Sequence, residues 1–229
     1  MIAAQDALKK AAGEAAVERF VRAGSCIGLG TGTTAYYAIR RVGERIAAGE
    51  SIVAVASSVA TEKLCREAGI PLVGLLERPI DVAIDGADEV TANFALTKGG
   101  GGALFREKCL ALAAARFVVI VDESKLVARL GAFPTPVEVV PFALPWVEHA
   151  IAQAFPGTGI RRRGADAPFV TDNGNAILDC RFGPIDDPVK REAELLAMHG
   201  VVDAGLFNGL ADIVMVAGAG GVRDLERAA

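Results

Sequence analysis

Short apolar runs alternate with longer segments of helical periodicity through the first half of the chain, and this alternation limits the possible folds more than any single residue does. Residues 3 to 23 carry an amphipathic helical pattern, Ser25 to Leu29 is a short apolar run, and Thr34 to Ala48 is helical again. Ile52 to Ala56 then reads as strand, Ala60 to Ala68 as helix, Asp81 to Ile84 as strand, Ala103 to Ala115 as helix and Phe117 to Val121 as strand. Strands this short and this apolar belong in a parallel sheet covered by helices on both faces, so an α/β fold with a Rossmann-like parallel sheet is expected. The ligand crevice of such a sheet lies beyond the carboxyl ends of the strands, which directs attention to the loops that follow strands.

The pattern changes after Leu130, where Pro134, Pro136, Pro141 and Pro145 crowd together. Beyond this crossing come a strand at Val137 to Val140, a helix at Trp146 to Ala154, a strand at Pro168 to Thr171, the turn Asp172-Asn173-Gly174-Asn175, a strand at Ala176 to Cys180, and a helix from Pro188 to His199. These elements predict a smaller α+β, ferredoxin-like domain over residues 132–204. Residues 1–131 together with 205–229 form the catalytic domain, with the run Ile213 to Ala217 returning to the first sheet. The hairpin FVTDNGNAIL is expected to expose an edge that invites pairing.

A net charge of -4 over 229 residues argues against nucleic acid as the main partner. The one dense basic run, Arg161-Arg162-Arg163, sits between Gly159 and Gly164 and reads as a solvated loop, with an oligomer contact or an anion site as the alternative. Cys26, Cys65, Cys109 and Cys180 are widely spaced, and the chain opens without a charged-then-apolar signal segment, so a reducing cytoplasm is expected. Apolar stretches are interrupted by Arg116 and Asp122, which leaves no segment long enough to span a bilayer. His149 and His199 are the only histidines, so neither a zinc site nor a Ser-His-Asp triad is expected.

The run KGGGGALFREK carries the densest chemistry. Gly99, Gly100, Gly101 and Gly102 place no side chain between their N–H groups and a ligand, and the helix beginning near Ala103 adds its positive end. Lys98 contributes an ammonium, and Glu107, expected in the second helical turn, contributes a carboxylate able to accept a proton. Donors for a developing oxyanion and a base therefore lie in one short segment.

Three further loops follow strands. In GLGTGTT, Thr33 stands where a dinucleotide fingerprint would have its third glycine, so NAD is poorly supported. The glycine turn around Gly32 with hydroxyls at Thr31, Thr33 and Thr34, next to a helix start, suits a phosphate monoester; simple helix capping uses the same residues. In IDGADEV, Asp85 and Asp88 emerge at a strand end around Gly86 and Ala87, where they can bind sugar hydroxyls, move protons, hold magnesium, or only form an Asx-turn. VDESK places Lys125 after another strand, where it gains meaning beside the threonine loop.

Taken in order, GLGTGTT, SSVATEKLCREAGI, DVAIDGADEV, LTKGGGGALFREKCLA, VDESK, PVEVVPFA, FVTDNGNAILD and GVVDAGLFNGLADIVMVAG resemble the signature blocks of type A ribose-5-phosphate isomerases. The resemblance implies a metal-independent and cofactor-independent interconversion of D-ribose 5-phosphate and D-ribulose 5-phosphate in the non-oxidative pentose phosphate pathway. It implies Glu107 as the proton acceptor, Thr31 to Thr34 and Lys125 as contacts to substrate and phosphate, and the Asp85 to Asp88 and Lys98 to Gly101 loops as the sugar site. It also implies a phosphate contact from Lys9 and a homodimer or homotetramer. Departures are Thr33 in place of the usual serine, Phe105 where threonine is frequent, and an individual 156–168 loop. Two other readings stand beside it: a sugar-phosphate-sensing module, which lacks a basic recognition helix, and a magnesium-dependent phosphate-transfer enzyme using Asp85 and Asp88.

Overall fold

The computed structural model of the chain describes residues 2–164 and 167–225. In chain order its helices and strands are α1 (Ile2–Phe20), β1 (Cys26–Leu29), α2 (Thr33–Ala47), β2 (Val53–Ala56), α3 (Val59–Glu67), β3 (Val82–Asp85), β4 (Glu89–Val90), β5 (Leu96–Thr97), α4 (Leu104–Ala113) and β6 (Phe117–Asp122). These are followed by β7 (Thr135–Val139), α5 (Leu144–Ala154), β8 (Gly159–Arg162), β9 (Ala176–Arg181), α6 (Pro188–Leu196), β10 (Val201–Ala204), β11 (Leu206–Phe207), β12 (Ile213–Gly218) and β13 (Gly221–Asp224). The chain divides into two compact units, the first comprising Met1–Ala87, Arg106–Leu126 and Leu210–Ala229, the second Asp88–Phe105 and Val127–Gly209.

The first unit holds a six-stranded sheet in the order β13-β12-β6-β3-β1-β2. β2, β1, β3, β6 and β12 run parallel, and only β13 at the edge is antiparallel. β1, β3 and β6 are buried along their whole length, which is why their sequences do not alternate and are apolar up to the aspartate that closes β3 and β6. Ile27, Leu29, Ile84, Val118 and Ile120 from these strands join Ala12, Ala16 and Val17 of α1 and Ala38, Ile39 and Val42 of α2 in one core. α1 and α2 approach closely because Gly13 has no side chain; a methyl group there would stand 2.9 Å from the Ala38 nitrogen. The chain leaves β1 outward to β2 and then returns to the other side of β1 as β3. The topological switch point of the sheet therefore lies between β1 and β3, where a ligand crevice is expected.

In the second unit, β7-α5-β8-β9-α6-β10 follow the βαββαβ connectivity of ferredoxin-like folds, and the strands form an antiparallel sheet in the order β10-β7-β9-β8. Val137, Val139, Leu178 and Cys180 from the sheet pack with Val147 and Ile151 of α5 and Leu195 of α6. A second, three-stranded sheet, β11-β5-β4, belongs to the same unit.

Two details differ from the sequence reading. Pro168 to Thr171 is not a strand: the partner of β9 is β8, so Arg161 and Arg162 lie on an edge strand instead of a solvated loop. The reason is a buried carboxylate. Glu138 Oε1 accepts bonds from Thr171 Oγ1 at 2.9 Å, Asn173 Nδ2 at 3.1 Å and Asn175 Nδ2 at 2.8 Å, which ties the turn down. Arg163 N–H meanwhile donates to Ile177 O at 2.9 Å and extends the β8 ladder in place of the expected strand. β9 consequently lies inside the sheet, and the exposed edge is the arginine-bearing β8. The domain limits also differ, since the second unit includes Asp88–Phe105 and begins its long segment at Val127. The buried Glu89 carboxylate explains part of this, because it accepts from Thr97 Oγ1 at 2.8 Å, Gly131 N at 3.0 Å and Phe133 N at 2.8 Å.

Candidate active site

In the first unit the switch point is built from the loops after β1 and β3. Asp85 closes β3 with its side chain 3% exposed, and its Oδ1 accepts from Thr31 N at 3.1 Å and from Gly86 N at 2.7 Å. The carboxylate so joins the two loops. Gly30 makes room for it: a methyl group at Gly30 would fall 1.9 Å from Asp85 Oδ1. One at Gly86 would meet Thr34 Cβ at 3.8 Å, so Thr34 and Gly86 line the same place.

The hydroxyls of the threonine loop have separate tasks. Thr31 Oγ1 turns inward to Ser57 Oγ and Ser58 Oγ, each at 2.8 Å, and to Thr61 Oγ1 at 3.1 Å. Ser58 also caps α3 by accepting from Thr61 N at 3.0 Å, and Thr61 Oγ1 donates to Gly30 O at 2.9 Å. This buried hydroxyl cluster sets the loop's shape, a role the double serine of SSVAT signals only in retrospect. Thr33 is exposed and Thr34 half-buried at the first turn of α2, whose cap residue Gly32 has φ 112° and provides no side-chain hydrogen bond. The amino end of a 15-residue helix is thus left for an anion.

Lys9 is half-buried on α1. Glu18 of α1 pairs with Arg41 of α2, and Gly13 meets Tyr37 and Ala38, so the two helices run in the same direction. Lys125 is half-buried at the end of a 3₁₀ turn, Glu123–Lys125, beyond β6. Asp122 caps that turn by accepting from Ser124 N at 2.9 Å.

Glu107 lies in the first turn of α4, one turn earlier than the sequence suggested, and is 4% exposed. The amino end of α4 brings its partial positive charge to this position. Leu110, one turn later, seats α4 against β1, since a methyl group on Gly28 would meet Leu110 Cβ at 3.5 Å.

Asp88, Lys98 and the glycine loop belong to the second unit. Lys98 is 2% exposed, with its Nζ 5.5 Å from the centre of the Phe207 ring. Gly99 and Gly102 have φ of 92° and 85°, Gly102 N–H closes the turn on Gly99 O at 2.9 Å, and Gly100 N–H donates to Asp88 Oδ2 at 2.9 Å. The glycines also answer to protein atoms: a methyl group at Gly100 would stand 2.7 Å from Asp88 Oδ1, and one at Gly102 2.4 Å from Phe169 Cζ. Gly101 is exposed. Arg163, which sequence reasoning assigned to solvent, donates to Gly99 O at 3.0 Å and Gly100 O at 3.3 Å. No group of three or more potential metal-binding His, Cys, Asp or Glu side chains occurs among the described residues.

An anion cradle at a switch point, with a buried carboxylate at the start of a helix over the same sheet, marks the first unit as that of an α/β enzyme for small phosphorylated substrates. The chain belongs to the ribose 5-phosphate isomerase A (phosphoriboisomerase A) family, whose model it matches over residues 53–221. It is 47% identical to ribose-5-phosphate isomerase A of Deinococcus radiodurans over 97% of this chain and 99% of the relative, and 46% identical to that of Methanothermobacter thermautotrophicus over 96% and 97%. Among solved structures it is similar to ribose 5-phosphate isomerase A of Methanocaldococcus jannaschii, with a TM-score of 0.90 and 41% identity over 96% of this chain and 99% of that one. A D-ribose-5-phosphate isomerase in complex with phospho-erythronic acid is similar too, with a TM-score of 0.91 and 41% identity over 96% and 98%.

Proposed function

We propose that the chain interconverts D-ribose 5-phosphate and D-ribulose 5-phosphate in the pentose phosphate pathway, with Glu107 as the single base. The observation that carries this reading is the buried Glu107 carboxylate in the first turn of α4, five residues after the glycine loop, in a chain of this family. The phosphate sits at the amino end of α2, held by Thr33, Thr34, Lys125 and Lys9, while Thr31 and Gly32 shape that turn. Glu107 takes the proton from C2 of the open-chain aldose, the C2–H electron pair becomes the C1–C2 double bond of an enediolate, and the carbonyl oxygen O1 takes up the negative charge. Return of the proton to C1, with transfer of the O2 hydroxyl proton to O1, gives the ketose. Lys98 and the N–H groups of Gly99 and Gly101 stabilise the enediolate oxygen, while the Gly100 N–H stays on Asp88 and keeps the loop in place. Asp85 and Asp88, with Gly86 and Ala87 between them, serve ring opening and proton movement between oxygens.

Phospho-erythronic acid, bound by a similar isomerase, carries a carboxylate where the enediolate has its oxygens, which supports recognition of that intermediate here. The wide spacing of Cys26, Cys65, Cys109 and Cys180 supports a reducing cytoplasm as the workplace. The working assembly is a homodimer or a dimer of dimers, with each site served by its own chain. The test is a coupled assay of ribulose 5-phosphate formation from ribose 5-phosphate, with and without a chelator, on parent and Glu107→Gln chains. Turnover that needs added metal, or that survives in Glu107→Gln, would overturn the reading.

A further inference from the structure

The second unit contains an arginine whose surroundings suit neither a solvated loop nor a simple surface ion pair. Arg163 is 14% exposed at its side chain and is gripped by Asp179, itself 7% exposed, through Nε at 3.1 Å and through Nη2. Its remaining terminal nitrogen, Nη1, donates to Gly99 O and Gly100 O, 64 and 63 residues away in sequence. The guanidinium also lies 5.6 Å from the centre of the Phe169 ring, and Phe169 is the side chain that a methyl group on Gly102 would strike. A bidentate carboxylate behind a planar fork fixes the direction of its remaining donors in a way an ammonium cannot reproduce.

A trans peptide points its C=O and N–H in opposite directions. Between Gly99 and Gly100 the carbonyl is held by Arg163 and the N–H by Asp88, so that plane is pinned from both sides. Between Gly100 and Gly101 the carbonyl is again turned toward Arg163, which directs the Gly101 N–H away from the guanidinium. A cation on the carbonyl side also polarises both peptides, strengthening their N–H groups as donors.

We propose that Arg163 is a positioning residue for the isomerisation: braced by Asp179, it orients the Gly99–Gly101 peptides so that the Gly101 N–H is aimed at the enediolate oxygen. This rests on the glycine loop serving the reaction proposed above. A misplaced donor costs most where charge develops, so turnover should suffer more than substrate binding.

The experiment compares Arg163→Ala, Arg163→Lys, Asp179→Asn and, as a control, Arg162→Ala, whose native side chain pairs with Glu148 instead. For Arg163→Ala, kcat should fall about 10- to 100-fold with KM within about threefold. Affinity for phospho-erythronic acid should fall in parallel, and competitive inhibition by inorganic phosphate should stay unchanged. Arg163→Lys keeps the charge without the fork and should recover little; Arg162→Ala should stay within about twofold of the parent. Backbone amide exchange at Gly100 to Gly102 should quicken about tenfold or more in Arg163→Ala, and less in Asp179→Asn, which also serves if Arg163→Ala fails to fold. Unchanged loop exchange in a folded variant, or full recovery by lysine, overturns the positioning role. A parent chain that does not turn over ribose 5-phosphate overturns the functional reading instead, and loop exchange then still decides whether Arg163 sets the glycine peptides.

Discussion

The threonine loop of the first unit and the glycine loop of the second present backbone donors by different means. Gly30 to Thr34 is shaped by what surrounds two neighbouring strand ends: Asp85 at the end of β3, and the Ser57–Ser58–Thr61 cluster just beyond β2. Gly99 to Gly102 is held by side chains from scattered parts of the chain, Asp88 before it and Arg163 and Phe169 long after. A loop made by sheet topology depends on its own glycines and on groups at adjoining strand ends, the Asp85 carboxylate and the hydroxyl cluster around Thr31. A loop made by distant side chains is as vulnerable at its anchors as at its own residues.

The sharpest way to break this comparison is to remove the base that both loops are proposed to serve. Glu107→Gln should retain the fold and lose about two to four decades of turnover in the coupled assay. If a Glu107→Gln chain ran at near-parent speed, neither loop could be assigned to proton transfer.

Next come the two lysines, one per unit. Lys98→Ala should lower kcat by roughly 100-fold, as expected for a lost oxyanion contact, with a smaller change in KM. Lys125→Ala should raise KM about tenfold, the cost of one charge-assisted contact, and leave kcat within about threefold. Indistinguishable steady-state profiles would mean that phosphate and oxyanion are not divided between the two lysines as proposed.

Two glycine substitutions test the construction of the loops themselves. Gly30→Ala sets a methyl group against Asp85, and Gly102→Ala sets one against Phe169 at a residue with φ of 85°. Each should destabilise the chain by about 1–3 kcal/mol in denaturant unfolding. Gly102→Ala should be partly relieved by Phe169→Ala, whereas Gly30→Ala should gain nothing from it. Equal behaviour of the two pairs would dissolve the distinction between topological and side-chain anchoring.

How much of this was legible follows the same division. The alternation of apolar runs foretold the parallel sheet, and the glycines and carboxylates after β1 and β3 stood out because each follows a strand directly. Glu107 stood out as a candidate base, but its burial did not, because burial is set by packing and not by local pattern. Arg163 was unreadable for a related reason. Its neighbours in sequence, Arg161 and Arg162, are exposed on an edge strand, and only the pairing of β8 with β9 brings Asp179 to it. The strand expected at Pro168 to Thr171 failed because Glu138, more than thirty residues earlier, captures the turn that follows.

The smallest effect concerns one buried thiol in each unit, Cys65 on α3 and Cys180 on β9. Burial raises both from the ordinary thiol value of 9.0, to about 11 and about 12. Below pH 9 both folded and unfolded thiols are protonated and the full stability is present. As pH climbs from 9 toward 11–12 the unfolded thiols ionise first, and stability is lost. Unfolding titrations of Cys65→Ala and Cys180→Ala should each show a shallower loss over this window. A slope identical to the parent's in both would assign the alkaline loss to other groups.

The route of the chain has a consequence for its manufacture. β6 is the middle of the first unit's sheet, yet its parallel neighbour β12 begins only at Ile213, after the whole second unit has been threaded. On a ribosome, the second unit's sheets can close while the nascent sheet of the first still shows the β6 flank as a bare, apolar edge. Translation that stops short of Ile213 leaves that edge permanently open, which makes nonsense products of this gene templates for aggregation rather than half-active enzymes.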